Sequence, residues 1–211
     1  MSSKWRMIGK VWIASAWCGA ALFTVFLMAS SWPRYWLYII AEKSTMGWLQ
    51  SVLLFACAFA AAMLASLACA GESARQRQWL WSAMAVAFAM LMLDERLMLH
   101  ERLRERFLER SGMKLLPWMA AGDLVMPIYA LCGLAVFYFL FREMSAYRWP
   151  RIFLMAGVGF ALAAVAIDSY HTVAVLPQTV EELLETGANL SFWSAMMKAV
   201  FHELENWSRT G

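Results

Sequence analysis

Apolar residues gather into six blocks along the chain, each separated from the next by a short polar or charged stretch. A bilayer core about 30 Å thick takes about 20 residues of helix. The blocks run from about Ile8 to Ser31, Gly47 to Ala70, Trp79 to His100, Asp123 to Phe141, Ile152 to Tyr170 and Glu185 to Phe201. Each predicts a spanning helix. Asn189 and Lys198 interrupt the sixth, so five spans plus a surface helix is the competing arrangement. The expected fold is all-α: a polytopic membrane bundle of about six transmembrane helices forming a single domain over residues 1–211.

The third block ends in a double boundary, MLDERLMLHERLRERF at residues 92–107. Asp94, Glu95 and Arg96 come first, apolar Leu97, Met98 and Leu99 follow, and His100 and Glu101 come next. Beyond them the charges alternate in sign, and Glu101–Arg104, Arg102–Glu105 and Arg106–Glu109 make favourable i,i+3 pairs. This pattern predicts that helix three extends past the membrane as a solvated rod. Segment 96–112 would then offer a docking surface for a protein partner. The first loop, from Ser30 to Trp48, mixes aromatic and polar residues and is expected to lie along the membrane interface.

Composition strengthens the membrane reading. Of the 211 residues, 62% are hydrophobic and only 16% charged, whereas soluble domains carry about 25% charged residues. The twelve Trp and thirteen Phe suit membrane interfaces. A net charge of +3, with no basic stripe and no zinc-finger spacing, argues against nucleic acid as a partner. Cys18, Cys57, Cys69 and Cys132 all lie in apolar stretches and form no CxxC pair, so neither a disulfide framework nor a cysteine metal site is expected. The first block is too long for a signal sequence and lacks a small-x-small exit, which makes it an uncleaved helix.

Lys and Arg set the expected orientation. Lys4, Arg6, Lys10, Arg75, Arg77, Arg142, Arg148 and Arg151 fall on one side of a six-span arrangement. The opposite side has Arg34 and Lys43 in its first loop and no Lys or Arg between Asp168 and Glu185. The basic stretch 96–114 also falls there, but its alternating sign makes it a weaker signal. The positive-inside bias places both termini in the cytoplasm of a bacterial-type inner membrane.

Counting from the cytoplasmic boundaries places several acids at one depth. Arg77 to Asp94, Arg151 to Asp168 and Glu185 to His202 are each 17 residues. At ~1.5 Å per residue, each acid lies about 25 Å from the inner boundary, just under the outer surface. Asp168 and His171 share a helix face; Asp94 and Glu101, seven apart, nearly eclipse; Glu182 and Glu185 sit i,i+3. His202 falls at the opposite face and is not expected to join them.

Ionisable groups inside a membrane segment are costly and usually face the bundle interior or a wet cavity. Packed carboxylates need a cation, and Asp, Glu and neutral His are the ligand set for a divalent metal such as Zn, Fe or Mn. Asp94, His100, Asp168, His171 and Glu185 are the candidate metal ligands. Glu95, Glu101 and Glu182 are the candidate catalytic bases. Taken singly, each has a structural explanation, such as a helix-end cap, a snorkelling ion pair or an acid complementing a helix dipole. Together they point to a metal-dependent hydrolase or oxidase acting on membrane lipid or a lipid-linked substrate. The competing functions are a proton or cation carrier and an accessory subunit of a membrane complex. The chain contains no GxSxG, Walker, HExxH or dinucleotide motif.

Overall fold

The computed structural model describes residues 3–41, 44–70, 75–99, 102, 114–116, 119–120, 125–145, 147–168 and 174–210. These residues are overwhelmingly helical. The long helices are α1 (Ser3–Ser30), α3 (Thr45–Ala70), α4 (Arg75–Leu97), α5 (Val125–Met144), α6 (Arg148–Asp168) and α7 (Val175–Thr210); α2 (Trp36–Ile39) is a single turn. Two short strands, β1 (Lys114–Leu116) and β2 (Met119–Ala120), pair antiparallel.

Side-chain contacts fix the helix directions. At one end of the bundle, Arg77 near the start of α4 meets Glu143 at the end of α5 and Glu203 late in α7. Phe201 of α7 packs there against Trp5 and Gly9 of α1. At the other end, Gln50 near the start of α3 meets Glu182 near the start of α7, and Glu95 near the end of α4 lies beside Gly47. Leu27, Ile39 and Met46 form a small buried cluster there, with Leu183 packed on it. Gly157 and Phe160 of α6 face Phe192 and Gly187 of α7 in reversed order. The six long helices therefore alternate in direction along the chain. The two ends are called below the basic end (Arg77) and the acidic end (Glu182).

Helices α3 and α7 form the centre. Helix α3 packs along α4 and α7, while α7 also carries α6 and α1. The main core brings Cys57, Ala60, Ala61 and Leu64 of α3 against Trp81, Met84 and Phe88 of α4 and Leu190, Met196 and Val200 of α7. The buried small residues Cys57, Ala58, Ala60 and Ala61 keep the α3 backbone close to its neighbours, the usual basis of tight packing between apolar helices.

Three helical stretches, Met7–Ser30, Thr45–Cys69 and Arg148–Ile167, are long and apolar enough to cross a membrane. The expectation of about six crossings is thus met in part on length and composition. Charge explains two of the others, since α4 carries Arg75, Arg77, Asp94, Glu95 and Arg96, and α7 carries several Glu residues and Lys198. For α5, the side chains of its first six residues lie outside the described ones. The outward faces are apolar even so, with Leu22, Phe26, Phe59, Leu131, Leu134 and Leu162 all exposed. An apolar surface this broad is unusual for a chain in water and suits contact with lipid.

The predicted rod beyond helix three is corrected at its base. Helix α4 ends at Leu97, and Met98 takes a left-handed φ of 52°, which stops the helix and turns the chain. A helical bond resumes from the Arg102 amide to the Met98 carbonyl, so the two segments are not one straight helix. The eclipsing expected for Asp94 and Glu101 involves Glu101, which lies outside the described residues. Residues 103–113 lie outside the described ones.

Candidate functional site

The acidic end is built by α3, α4 and α7. Packing of Leu183 on Ile39, Met46 and Leu27 fixes the rotation of α7. Glu182 and Thr186, one turn apart, then share the face that meets α3. Gln50, fully buried at 1% exposure, answers them from α3. Its side-chain nitrogen lies 3.0 Å from Glu182 Oε2, 3.2 Å from the Glu182 carbonyl oxygen and 3.3 Å from Thr186 Oγ1. An amide nitrogen has only two hydrogens, so these three acceptors share them.

Glu95 approaches the same place from α4. The Ser44 hydroxyl accepts the Gly47 N–H at 3.0 Å, capping α3. Gly47 leaves its side of that first turn open: a Cβ there would stand 3.6 Å from both Glu95 Oε1 and Ser44 Oγ. A carboxylate beside a helix N-terminus is favoured by the partial positive charge of the unpaired amides.

The other acids raise the potential cost. Glu182 precedes the Glu185–Phe201 segment, and its carboxyl is pushed up from 4.5 to about 8. Burial is the main cause, followed by the charge of Glu185; the Gln50 hydrogen bond opposes the shift, and Glu95 and Glu181 add to it. Asp94, at the end of α4, is buried. The structure therefore brings Glu95, Glu181 and Glu185 within electrostatic reach of Glu182. Asp168 is the last residue of α6, with its side chain outside the described ones, as are His100, Glu101 and His171 entirely. Among the described residues, no three His, Cys, Asp or Glu side chains close into a group able to hold a metal ion.

Ser44, Gly47 and Gln50 are not among the candidate site residues the sequence suggests. A signal was there for one of them, because Gln50 is the only amide in the apolar block from Gly47 to Ala70. An amide in such a block must find a partner, since a buried polar group left unbonded is costly.

The basic end holds a second polar cluster. Arg77 donates from Nε to Glu143 Oε2 at 3.0 Å and from a terminal nitrogen to Glu203 Oε1 at 2.6 Å. Burial alone would lower the guanidinium pKa, but the bonds to Glu203 and Glu143 hold it above its ordinary value. The Tyr147 ring packs on His202 with centroids 4.1 Å apart. Burial and then Glu203 push its phenol up. A shallow groove of about 600 Å³ runs between α3 and α4 in this half of the bundle, lined by Ala62, Ala65, Ser66, Cys69, Gln78, Ser82 and Ala85. It lies away from the acids.

Residues 10–200 match a protein family described as Domain of unknown function (DUF8692). No curated protein and no solved structure matches the chain.

Proposed function

The chain belongs to the DUF8692 family, and from that premise we propose that it is an integral membrane protein whose acidic end binds a cation and acts on lipid or a lipid-linked substrate. The observation that carries this reading is the gathering of Glu95, Glu181 and Glu185 around the buried carboxyl of Glu182, which is pushed up to about 8. Acids so placed repel one another until a proton or a cation joins them. The exposed apolar faces of α1, α3, α5 and α6 and the alternating helix directions support six crossings. In this reading Asp94, Asp168 and Glu185 supply carboxylate ligands, His100 and His171 complete the set, and the ion is Zn, Fe or Mn. Glu95, Glu101 and Glu182 are then the bases available to a bound water, whose pKa a divalent metal lowers towards about 7. The reaction is hydrolysis or oxidation at the outer leaflet.

Elemental analysis of detergent-purified protein tests this directly. About one or two equivalents of metal in wild type, lost in both Asp94→Asn and His171→Ala, is the expected result. Well-folded wild-type protein that stays metal-free after incubation with Zn²⁺, Fe²⁺ and Mn²⁺ would sink the metal reading.

A second reading, a proton or cation carrier, draws on α7. Thr186, Ser191 and Ser194 are buried in succession beyond Glu182, and the Ser191 hydroxyl has no hydrogen-bond partner among the described residues. Proton flux into liposomes carrying the protein, abolished by Glu182→Gln, would favour it. Flux equal to that of empty liposomes would remove it.

A further inference from the structure

We infer that Lys10 of α1 and Lys198 of α7 together hold the phosphate of an anionic phospholipid in the leaflet at the basic end. The inference rests on the reading of α1 and α7 as membrane-crossing helices. It begins from the seam between them. Trp17 Nε1 donates to Ser194 Oγ at 3.1 Å, and Gly9 meets the Phe201 ring, which also packs on Trp5 with centroids 6.5 Å apart. The two helices therefore run antiparallel, and Lys10 and Lys198 fall between these fixed points, one on each side of the seam.

The pair is cationic without a counter-charge. Lys10 acts electrostatically on Lys198, and among the described residues no carboxylate stands within reach of Lys198. Arg77 at the same end is the contrast, since Glu143 and Glu203 neutralise it. Lys198 precedes Glu203 by five positions, so its backbone sits about 7.5 Å nearer the bilayer centre than that ion cluster. Two like charges at that depth repel through a medium that screens poorly. A phosphate placed between them replaces the repulsion with charge-assisted hydrogen bonds. The surroundings favour a lipid as its source. Lys10 is exposed and Lys198 half-buried, so both ammonium groups can be reached from outside the bundle. Val11, Leu22 and Val25 are exposed on the adjoining face of α1, deeper in the layer, and offer an acyl chain an apolar bed below the headgroup. Free phosphate would meet the same charges and forgo that contact. Basic residues between helices at a membrane face are a known means of selecting anionic headgroups.

Native mass spectrometry and thermal unfolding of detergent-purified protein test this together. The variants are Lys10→Gln, Lys198→Met and their double, with Arg34→Gln as a charge-matched control beyond the other end of α1. Offered equal phosphatidylglycerol and phosphatidylcholine, wild type and Arg34→Gln should retain the anionic lipid about tenfold or more in preference. The double variant should show no preference. Melting separates a ligand from a structural role. In phosphatidylcholine nanodiscs Lys198→Met should melt no lower than wild type, because it relieves the repulsion. Phosphatidylglycerol should raise the melting temperature of wild type and leave the double variant unmoved. Preference kept by the double variant, or lost equally in Arg34→Gln, overturns the inference, as does a lower melting temperature for Lys198→Met in phosphatidylcholine. Inorganic phosphate giving the full stabilisation in phosphatidylcholine would also overturn it, making the site one for a free anion. Protein that floats with liposomes of neither lipid would overturn the membrane reading, and this site with it.

Discussion

Arg77 bonds Glu203 across 126 residues of sequence, with 2.6 Å between a guanidinium nitrogen and the carboxylate oxygen. It holds Glu143 at 3.0 Å as well, so one cation ties the basic ends of α4, α5 and α7. Arg77→Ala would leave two carboxylates facing one place without their cation. All three side chains are 21–28% exposed, so water screens part of the effect. The expected loss is about 1–2 kcal/mol, below that of a fully buried pair. Arg77→Lys should recover only part, because an ammonium cannot reproduce the two-pronged geometry. Thermal unfolding in detergent reads both, and an unchanged melting temperature in Arg77→Ala would remove the tie.

Helix α7 joins the two polar ends, with Glu182 at one and Glu203 at the other. Their separation of 21 positions rises about 31 Å, the thickness of a hydrocarbon core. A cysteine at Glu181 and one at Ser208, in a background without the four native cysteines, should label from opposite sides of the membrane. Labelling of both from the same side would make α7 a surface helix.

Much of this fold is legible along the chain, and the limits have physical causes. The six apolar blocks mark the long helices because spanning length leaves a direct imprint on composition. Helix α7 overruns its block by ten residues at the start, since a helix that leaves an apolar layer can continue in water without an apolar signature. The break at Met98 leaves no mark at all: no Gly or Pro announces it, and a left-handed methionine is set by its surroundings. Counting along helices places Asp94, Asp168 and Glu185 at one depth without naming which acids pair. It says nothing of the first turns of α3, where Ser44 and Gly47 matter through backbone placement rather than residue chemistry.

Gly157 lets α6 lie against α7. A Cβ there would stand 2.7 Å from the Phe192 ring and 3.3 Å from the Ala188 carbonyl oxygen. The ring can rotate away, but the carbonyl belongs to a helix backbone. Gly157→Ala should therefore cost about 1–3 kcal/mol as an overpacked contact. Adding Phe192→Leu should return part of that, because it removes the nearer obstacle and leaves the backbone one. Gly159, with nothing within 4 Å of its Cβ position, is the control and should accept Ala at little cost. Equal melting temperatures for the two single variants would show that α6 adjusts freely.

Glu182 should make stability fall as pH rises. Burial and the charge of Glu185 raise its carboxyl from 4.5 to about 8, so between those values the folded chain holds a proton that the unfolded chain has released. The stability this provides is complete below about 4.5 and is lost progressively as pH climbs to about 8. Glu182→Gln keeps the shape and an acceptor for Gln50 while removing the titration. Its melting temperature should decline less across this window, and above it the variant should be the more stable protein by a few kcal/mol. Wild type and variant with the same pH profile would assign the titration to another group.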